Sequence, residues 1–329
     1  MPSNQRAGMS STASTAPTPA TLIDGPRVRW GLCCQFLDAP IRFRTATHRY
    51  VHTLDAAARR EYLASIARDN ALALDQAVQR CATLGIGAFR LNSQILPLTT
   101  HPVSGYALAD LDDDGAITTA FRDAGALARA LDIRLSFHPD QFIVLNSEQP
   151  RVVDSSVGEM RAQGEIAALV GADVLTLHGG GAAGGLHAAL DRLERGLEQL
   201  SVLARERVAL ENDDRSFTPA SLFPLCERLG IPLVYDVHHH RAHPDTLDVA
   251  EVTARAVATW RDREPYFHIS SPRAGWGGGD ARPHADYVAL DDFPDSWRAL
   301  RFTLDVEAKA KERAVLALRD AVTGAMIPR

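Results

Sequence analysis

Residues 175–178 read Leu-Thr-Leu-His, a short β-type run that ends on a histidine, and five further segments follow the same pattern. Those five end on His138, Glu211, Asp236, His268 and Glu307. An apolar strand ordinarily runs into Gly, Asn, Ser or Asp at a turn. These six segments instead end on side chains that bind metal ions, at intervals of roughly 30 residues, the length of one βα unit.

Eight strand candidates alternate with helix-patterned segments along the chain. The strands are predicted at residues 28–33, 86–91, 133–137, 173–177, 207–210, 232–235, 266–269 and 302–306. The helices are predicted at residues 61–84, 120–131, 156–170, 186–205, 219–229 and 249–260. This alternation predicts an α/β fold, a (β/α)8 TIM barrel, with a doubly wound sheet as the alternative. The six strand-end side chains would then meet at the C-terminal mouth, beside long loops at residues 92–115 and 272–283.

Composition limits the class of protein. The chain has 329 residues, and we predict a disordered tail at 1–26, one barrel domain at 27–318 and a C-terminal tail at 319–329. No apolar run approaches the roughly 18 residues that a membrane span requires. The four cysteines form no C-x-x-C pair, which indicates a reducing cytoplasm. A net charge of −6 argues against a general nucleic-acid coat protein but leaves a nucleic-acid enzyme open.

Each candidate ligand has an ordinary structural explanation when it is taken alone. A strand-end histidine is often a hydrogen-bonded loop residue, and a strand-end carboxylate is often a helix N-cap. Six of them in register favour a metal site. In the run Asp236-Val-His-His-His240 we select His239 as a further ligand, and His284 is the other loop-borne candidate.

Two neighbouring runs have open interpretations. Asn212-Asp213-Asp214, after Glu211, could be a solvated turn. Gly179-Gly180-Gly181 is compatible with a phosphate cradle, but the absence of a following Lys favours a close-packed turn.

The number of bound ions separates two kinds of chemistry. Three clustered divalent ions suit phosphodiester hydrolysis, because they activate water and neutralise the phosphate. One or two ions at the same mouth would suit a sugar-phosphate isomerase or epimerase.

Longer motifs surround these positions. They are Gly31-Leu-Cys-Cys-Gln-Phe36, Phe89-Arg-Leu-Asn-Ser-Gln-Ile-Leu-Pro97, Phe137-His-Pro-Asp-Gln-Phe-Ile-Val-Leu-Asn146, Leu177-His-Gly-Gly-Gly181, Leu210-Glu-Asn-Asp-Asp214, Asp236-Val-His-His-His240, His268-Ile-Ser-Ser-Pro272 and Val306-Glu-Ala-Lys309. With these motifs the chain resembles the UV damage endonucleases over about residues 28–311. That family is similar in architecture to endonuclease IV and to xylose-isomerase-like barrels.

The resemblance implies a metal-dependent enzyme that incises damaged double-stranded DNA immediately 5′ to UV photoproducts and other distorting lesions, leaving a 3′-hydroxyl. It implies two or three bound divalent ions, with manganese as the expected metal. The implied metal ligands are His138, His178, Glu211, Asp236, His239, His268, His284 and Glu307, of which Glu211, Asp236, His268 and Glu307 are also assigned as catalytic. We expect a monomer in the cytoplasm that associates with the nucleoid during repair and with no membrane.

The resemblance also implies DNA contacts. Gln141 and Phe142 occupy the position of a Gln-Tyr pair that probes the DNA gap in relatives, and Arg90, Asn92 and Gln94 are further candidates. Loop position alone suggests phosphate contacts from Arg90, Arg151, Arg241, Arg273 and Arg282.

Three positions depart from the family pattern. Tyr266 stands where relatives can carry a modified lysine, Gln94 where some carry a histidine, and Leu32 where some carry a tyrosine. The departures fit a subgroup with the same activity, one with a shifted lesion range, or a catalytically silent DNA- or metal-binding homologue.

Overall fold

Eight parallel strands close into a barrel in the order of the sequence. The computed structural model describes residues 28–326. The strands are β1 (Val28–Cys33), β2 (Ala88–Leu91), β3 (Arg134–Phe137), β4 (Val174–His178), β5 (Val208–Glu211), β6 (Leu233–Asp236), β7 (Tyr266–Ile269) and β8 (Phe302–Val306). The (β/α)8 prediction is confirmed, and the doubly wound alternative is wrong because β1 pairs with β8 and closes the sheet.

Helices surround the barrel. Within residues 28–326 they are α1 (His48–Val51), α2 (Ala56–Leu84), α3 (Ala116–Ala130), α4 (Pro150–Val170), α5 (Leu186–Glu198), α6 (Val202–Arg205), α7 (Pro219–Leu229), α8 (Val237–Ala242), α9 (Val249–Trp260) and α10 (Glu312–Met326). Short 3-10 turns lie at Leu108–Leu111, Leu290–Asp292 and Asp295–Trp297. None of the helices in this part of the chain has the length and apolar character of a membrane span.

Capping residues explain two of the differences between the predicted and the observed helix boundaries. Helix α2 begins at Ala56 rather than at residue 61 because the Asp55 carboxylate accepts a hydrogen bond from the Ala58 amide at 2.8 Å. The predicted helix at 186–205 is two helices, since Ser201 caps the start of α6. The predicted C-terminal tail begins inside α10, which continues to Met326. The predicted tail at 1–26 lies outside the described residues.

Strand register aligns the polar strand ends in pairs. In the parallel ladders, His178 pairs with Glu211, and Asp236 pairs with His268. Residues paired in this way lie side by side on neighbouring strands. Glu211 itself pairs with Val234, two residues before Asp236. The Asp236–His268 pair therefore lies two residues closer to the C-terminal ends of the strands than the His178–Glu211 pair, and side chains two residues apart point to the same face. The backbone alone therefore places four of the predicted ligands close together at the mouth.

The turn after β4 is close-packed rather than a phosphate cradle. Gly180 has a φ of +85°, and a Cβ there would lie 2.3 Å from Asn146 Oδ1. Asn146 Nδ2 donates to the Gly181 carbonyl at 2.7 Å. Gly179, whose Cβ would lie 2.7 Å from the Phe217 ring, and Gly180 are thus required by the tight approach of neighbouring loops, which agrees with the interpretation favoured from the missing lysine.

Candidate metal centre

Glu211, at the end of β5, is the centre of the polar cluster, and its side chain is fully buried. Its carboxylate oxygens lie 2.8 Å from His138 Nε2 and 2.9 Å from His268 Nδ1. Two further imidazole nitrogens, His178 Nε2 and His239 Nδ1, lie at 3.5 Å each. One carboxylate therefore faces four imidazoles contributed by four different segments.

The electrostatics of Glu211 follow from these contacts. Burial alone would raise the pKa of its carboxyl group, but the imidazoles of His178, His268 and His138 outweigh it and hold the pKa well below the usual range. Glu211 is thus an anion in a place where a bare anion would be costly. Cations next to Glu211 would compensate the cost of burying this charge.

Asp236 and His239 extend the cluster from the end of β6. Asp236 Oδ1 accepts from the His239 backbone amide at 2.7 Å and so caps α8. The other oxygen, Oδ2, is buried without a hydrogen-bond partner and lies 3.6 Å from His239 Nδ1. The N-cap and metal-ligand interpretations of Asp236 are therefore compatible, since each uses a different oxygen.

The three histidines after Asp236 have different surroundings. His239 faces Glu211, whereas His240 is held by the Tyr235 hydroxyl at 2.8 Å and by Asp245 at 3.2 Å. His238 is buried, with its ring centroid 5.1 Å from that of His284. Burial lowers the pKa of His239, but Asp236 and Glu211 outweigh it and raise the pKa to about 9. The structure thus brings the selected histidine into the cluster.

Glu307, which follows β8, and His284, in the loop after β7, extend the cluster further. Glu307 lies 3.4 Å from His268 Nδ1 and 3.6 Å from His284 Nδ1. His284 reaches this position because it forms an antiparallel bridge with Pro272 at the base of the glycine-rich loop. Burial would raise the pKa of Glu307, but Arg90 and His268 hold it well below its usual range.

The donors fit divalent cations. Among the described residues, two groups have ligand atoms that all lie within 4.8 Å of one another: His138, His178 and Glu211, and Glu211, Asp236 and His239. The groups share Glu211, as a bridging carboxylate would. The unpartnered Asp236 Oδ2 and the mixture of imidazole nitrogens and carboxylate oxygens match the ligand preferences of first-row divalent ions. His268, Glu307 and His284 adjoin the two groups but are not part of either.

Two supporting residues were missed from the sequence. Asp305 in β8 is fully buried, and its Oδ2 lies 3.8 Å from His268 Nε2, which also has no hydrogen-bond partner. Asn212 is fully buried as well and joins β5 to β6: its Nδ2 donates to the Asp236 carbonyl at 2.8 Å, and its Oδ1 accepts from the Asp236 amide at 3.0 Å. The turn after Glu211 is therefore not simply solvated at Asn212.

Tyr266 belongs to the layer beneath the cluster. Its side chain is fully buried, and its hydroxyl hydrogen-bonds with Ser136 Oγ at 2.7 Å. The Arg134 guanidinium lies 5.1 Å from its ring centroid, and the His268 ring meets it edge-on at 5.8 Å. At this position the phenol fills the barrel interior and supports His268.

Four of the predicted DNA contacts lie in the loops after β2 and β3. Gln141 and Phe142 are exposed in the loop after β3, with Phe142 at 81 %. In the loop after β2, the Asn92 side chain accepts from the Gln94 amide, and Gln94 Nε2 donates to Asp140 at 3.1 Å. These four residues border the mouth from the side of β2 and β3.

Arg90 lies elsewhere than expected for a DNA contact. Its side chain is 12 % exposed, and Nη1 is bound to the Glu307 carboxylate because β2 directs it into the barrel. Of the other predicted phosphate contacts, Arg241 is bound to Asp292 and Arg282 to Asp280. Arg151 and Arg273 are exposed.

Comparisons with known proteins give a consistent picture. The family described as UV-endonuclease UvdE matches residues 28–326. A protein of Deinococcus radiodurans named UV DNA damage endonuclease is 37 % identical over 311 residues, covering 88 % of this chain and 94 % of that protein. The crystal structure of SacUVDE superposes with a TM-score of 0.80 at 24 % identity, over 91 % of this chain and 98 % of that one. Endonuclease IV from Thermus thermophilus shares the fold, with a TM-score of 0.56 at 18 % identity, over 77 % and 94 %.

Proposed function

Because the chain belongs to the UV-endonuclease UvdE family, we propose that it is a DNA repair endonuclease that incises double-stranded DNA at UV photoproducts and other distorting lesions. The incision is immediately 5′ to the lesion and leaves a 3′-hydroxyl. The observation that carries the proposal is the buried Glu211 carboxylate, which four imidazoles approach within 3.5 Å at the barrel mouth. Loops at this mouth of a parallel barrel are where such enzymes act.

We assign the metal ligands to eight side chains: His138, His178, Glu211, Asp236, His239, His268, His284 and Glu307. The cofactor in this proposal is two or three divalent ions, with manganese as the expected metal. When bound, these ions would neutralise the scissile phosphate and lower the pKa of an attacking water. The two groups that share Glu211 account for two ions, and Glu307 with His284 offers ligands for a third.

Some of the proposed site residues are fully buried, and others are partly exposed to solvent. Glu211, Asp236 and His268 are fully buried and fix the floor of the site. His178 and His284 are 28 % and 26 % exposed, so the cluster opens to solvent on their side. The DNA backbone approaches from that side, and the four assigned catalytic side chains lie beneath it: the carboxylates of Glu211, Asp236 and Glu307 and the imidazole of His268.

In this proposal Arg90 positions Glu307 and does not contact DNA. Its guanidinium bonds Glu307, and it also lies 3.6 Å from Asp305. It thereby holds Glu307 ionised and directed at the cluster. A phosphate contact from Arg90 would require breaking this buried pair, which is costly.

Gln141 and Phe142, in the loop after β3, recognise the lesion in this proposal. Phe142 is almost fully exposed, although exposure of a large apolar ring is unfavourable unless a partner covers it. A base stack opened by a lesion offers such a partner, because extrusion costs least where stacking is already weakened. Gln141, beside it, supplies an amide for the bases left unpaired.

The incision position can be tested with a duplex that carries one thymine dimer and an end label on the damaged strand. The product length should place the cut at the phosphate immediately 5′ to the dimer, and a DNA polymerase should extend the new end, which requires a 3′-hydroxyl. Products cut 3′ to the dimer, or ends that the polymerase cannot extend, would contradict the proposal. An undamaged duplex of the same sequence is the control.

A further inference from the structure

Trp276 is an exposed tryptophan in the glycine-rich loop that follows β7. It is 41 % exposed, whereas Trp30, Trp260 and Trp297 are 6 %, 1 % and 0 % exposed. These are all four tryptophans of the chain. A tryptophan that served only packing would be buried like the other three, so the exposed ring calls for a different explanation.

The exposed indole is fixed at its polar edge. Its Nε1 donates to Asp292 Oδ1 at 2.7 Å, and Asp292 is 7 % exposed. The other carboxylate oxygen accepts from Ser271 Oγ, and the Asp292 carbonyl accepts from Arg241 at 2.8 Å. The ring is therefore held in one orientation before any ligand arrives, which reduces the entropy lost on binding.

The glycines around Trp276 shape a tight loop. Gly275 and Gly279 have φ values of +73° and +89°, and a Cβ at Gly278 would lie 2.1 Å from the Ala274 carbonyl oxygen. The same loop returns to the barrel at the bridge between Pro272 and His284. One folded segment thus presents the indole and positions a proposed metal ligand.

A chain of aromatic rings links Trp276 to the metal centre. The His238 ring centroid lies 5.3 Å from that of Trp276 and 5.1 Å from that of His284. Strand β7 is four positions from β3 in the closed eight-stranded barrel, so their loops are on opposite sides of the mouth. The cluster accordingly lies between Phe142 on one side and Trp276 on the other.

We propose that Trp276 is a nucleobase-stacking residue, which binds a base of the DNA on the side of the metal centre opposite Phe142. The proposal rests on the proposed endonuclease function. An aromatic face next to a phosphate-binding centre suits a base, because each base has a π-face and stacking tolerates any sequence. Two stacking points on opposite sides would hold a distorted duplex across the centre.

Tryptophan emission provides a direct test, because Trp276 is the one exposed tryptophan of the chain and the other three are buried. The probe is a fluorescein-labelled duplex with one thymine dimer and a phosphorothioate at the incision position, titrated with manganese present. Anisotropy reports binding, and tryptophan emission reports stacking. We expect quenching in the parent protein that is absent in Trp276→Phe, while Trp276→Phe still binds. Binding of the duplex with unchanged tryptophan emission in the parent would overturn the proposal and leave the endonuclease function intact.

Kinetics separate stacking from a structural effect on His284. Trp276→Ala should raise KM for the cleavable lesion duplex by about tenfold with little change in kcat, since a stacked base contributes binding. Trp276→Phe should raise KM less than Trp276→Ala does, because phenylalanine can still stack on a base. A loss of kcat or of manganese affinity, with KM unchanged, would show that Trp276 only positions His284 and would overturn the proposal. Leu72→Ala, an exposed site on α2, is the control that should change neither parameter.

A third outcome concerns the premise. If the parent protein neither binds nor nicks lesion-bearing duplex, the endonuclease function fails and the stacking role fails with it. Nicking by the parent that Trp276→Ala leaves unchanged in KM would reject the stacking role alone.

Discussion

Gly31 of β1 pairs in register with Asp305 of β8, and a Cβ at Gly31 would lie 2.2 Å from Asp305 Oδ1. The glycine therefore makes room for a buried carboxylate. That carboxylate faces the Nε2 atom of His268 at 3.8 Å, while Nδ1 of the same ring faces Glu211 at 2.9 Å. A carboxylate behind a ligand histidine keeps the proton on the far nitrogen and leaves the near nitrogen free for a metal.

Asp305→Asn should weaken manganese binding by about 10- to 100-fold, the usual effect of losing such a support. Isothermal titration calorimetry of the metal-free protein measures this directly. Gly31→Ala should act in the same direction, because the new methyl group displaces Asp305. Asp295→Asn, whose side chain is 93 % exposed, is the matched control. Equal affinity in Asp305→Asn and the parent would show that Asp305 does not position His268.

Glu211→Gln should reduce nicking of lesion-bearing duplex by at least about 100-fold while the fold is retained. The substitution keeps the volume but removes the anion that the two candidate ligand groups share, and losing a ligand costs more than losing its support. A plasmid nicking assay gives the rate, and far-ultraviolet circular dichroism checks the fold. Activity close to that of the parent would mean that Glu211 does not join two metal positions.

Phe142→Ala and Gln141→Ala should each reduce the preference for damaged over intact duplex. Loss of one stacking ring removes about 1–3 kcal/mol of binding, and only the damaged complex is affected. Stability should change by less than about 0.5 kcal/mol because both side chains are exposed. Competition binding with damaged and intact duplexes measures the preference, with Leu72→Ala as the control. If both variants discriminate as the parent does, lesion sensing lies elsewhere.

Metal uptake should release protons. In the metal-free protein the pKa values of His239 and His268 are raised to about 9, since neighbouring carboxylates outweigh the effect of burial. Both rings are therefore protonated at neutral pH, and a metal must displace those protons. Manganese affinity should rise as the pH increases toward about 9. Calorimetry in Pipes and in Tris should give different heats at the same pH, whereas identical heats after correction for dilution would contradict proton release.

The strand ends could be predicted because two signals coincide there. Each end combines a short apolar run with a single ligand-type residue, as in Leu-Thr-Leu-His178. A parallel barrel then brings those ends to one mouth without further information. His239 and His284 needed more, since a helical turn after Asp236 and a loop bridge to Pro272 decide where their side chains point.

The interior of the barrel could not be predicted from the sequence. In Phe302-Thr303-Leu304-Asp305-Val306 the alternation resembles a strand with one solvated face, but closure of the sheet turns Asp305 into the core. Arg90 is a second case: it was predicted to contact DNA, and the sequence did not indicate that its guanidinium pairs with Glu307 inside the barrel. Trp276 carried no periodic signal, because its role depends on a loop whose shape is set by glycine φ angles.

Metal-dependent incision of damaged DNA at the Glu211 cluster can be tested in a single plasmid assay. Purified protein is incubated with UV-irradiated and with unirradiated supercoiled plasmid, in manganese or in chelator, and open-circular product is quantified. We predict that the irradiated plasmid is nicked only when manganese is present, and that Glu211→Gln lowers the rate by at least about 100-fold. Equal nicking of both plasmids, or nicking that persists in chelator, would contradict metal-dependent repair incision at this cluster.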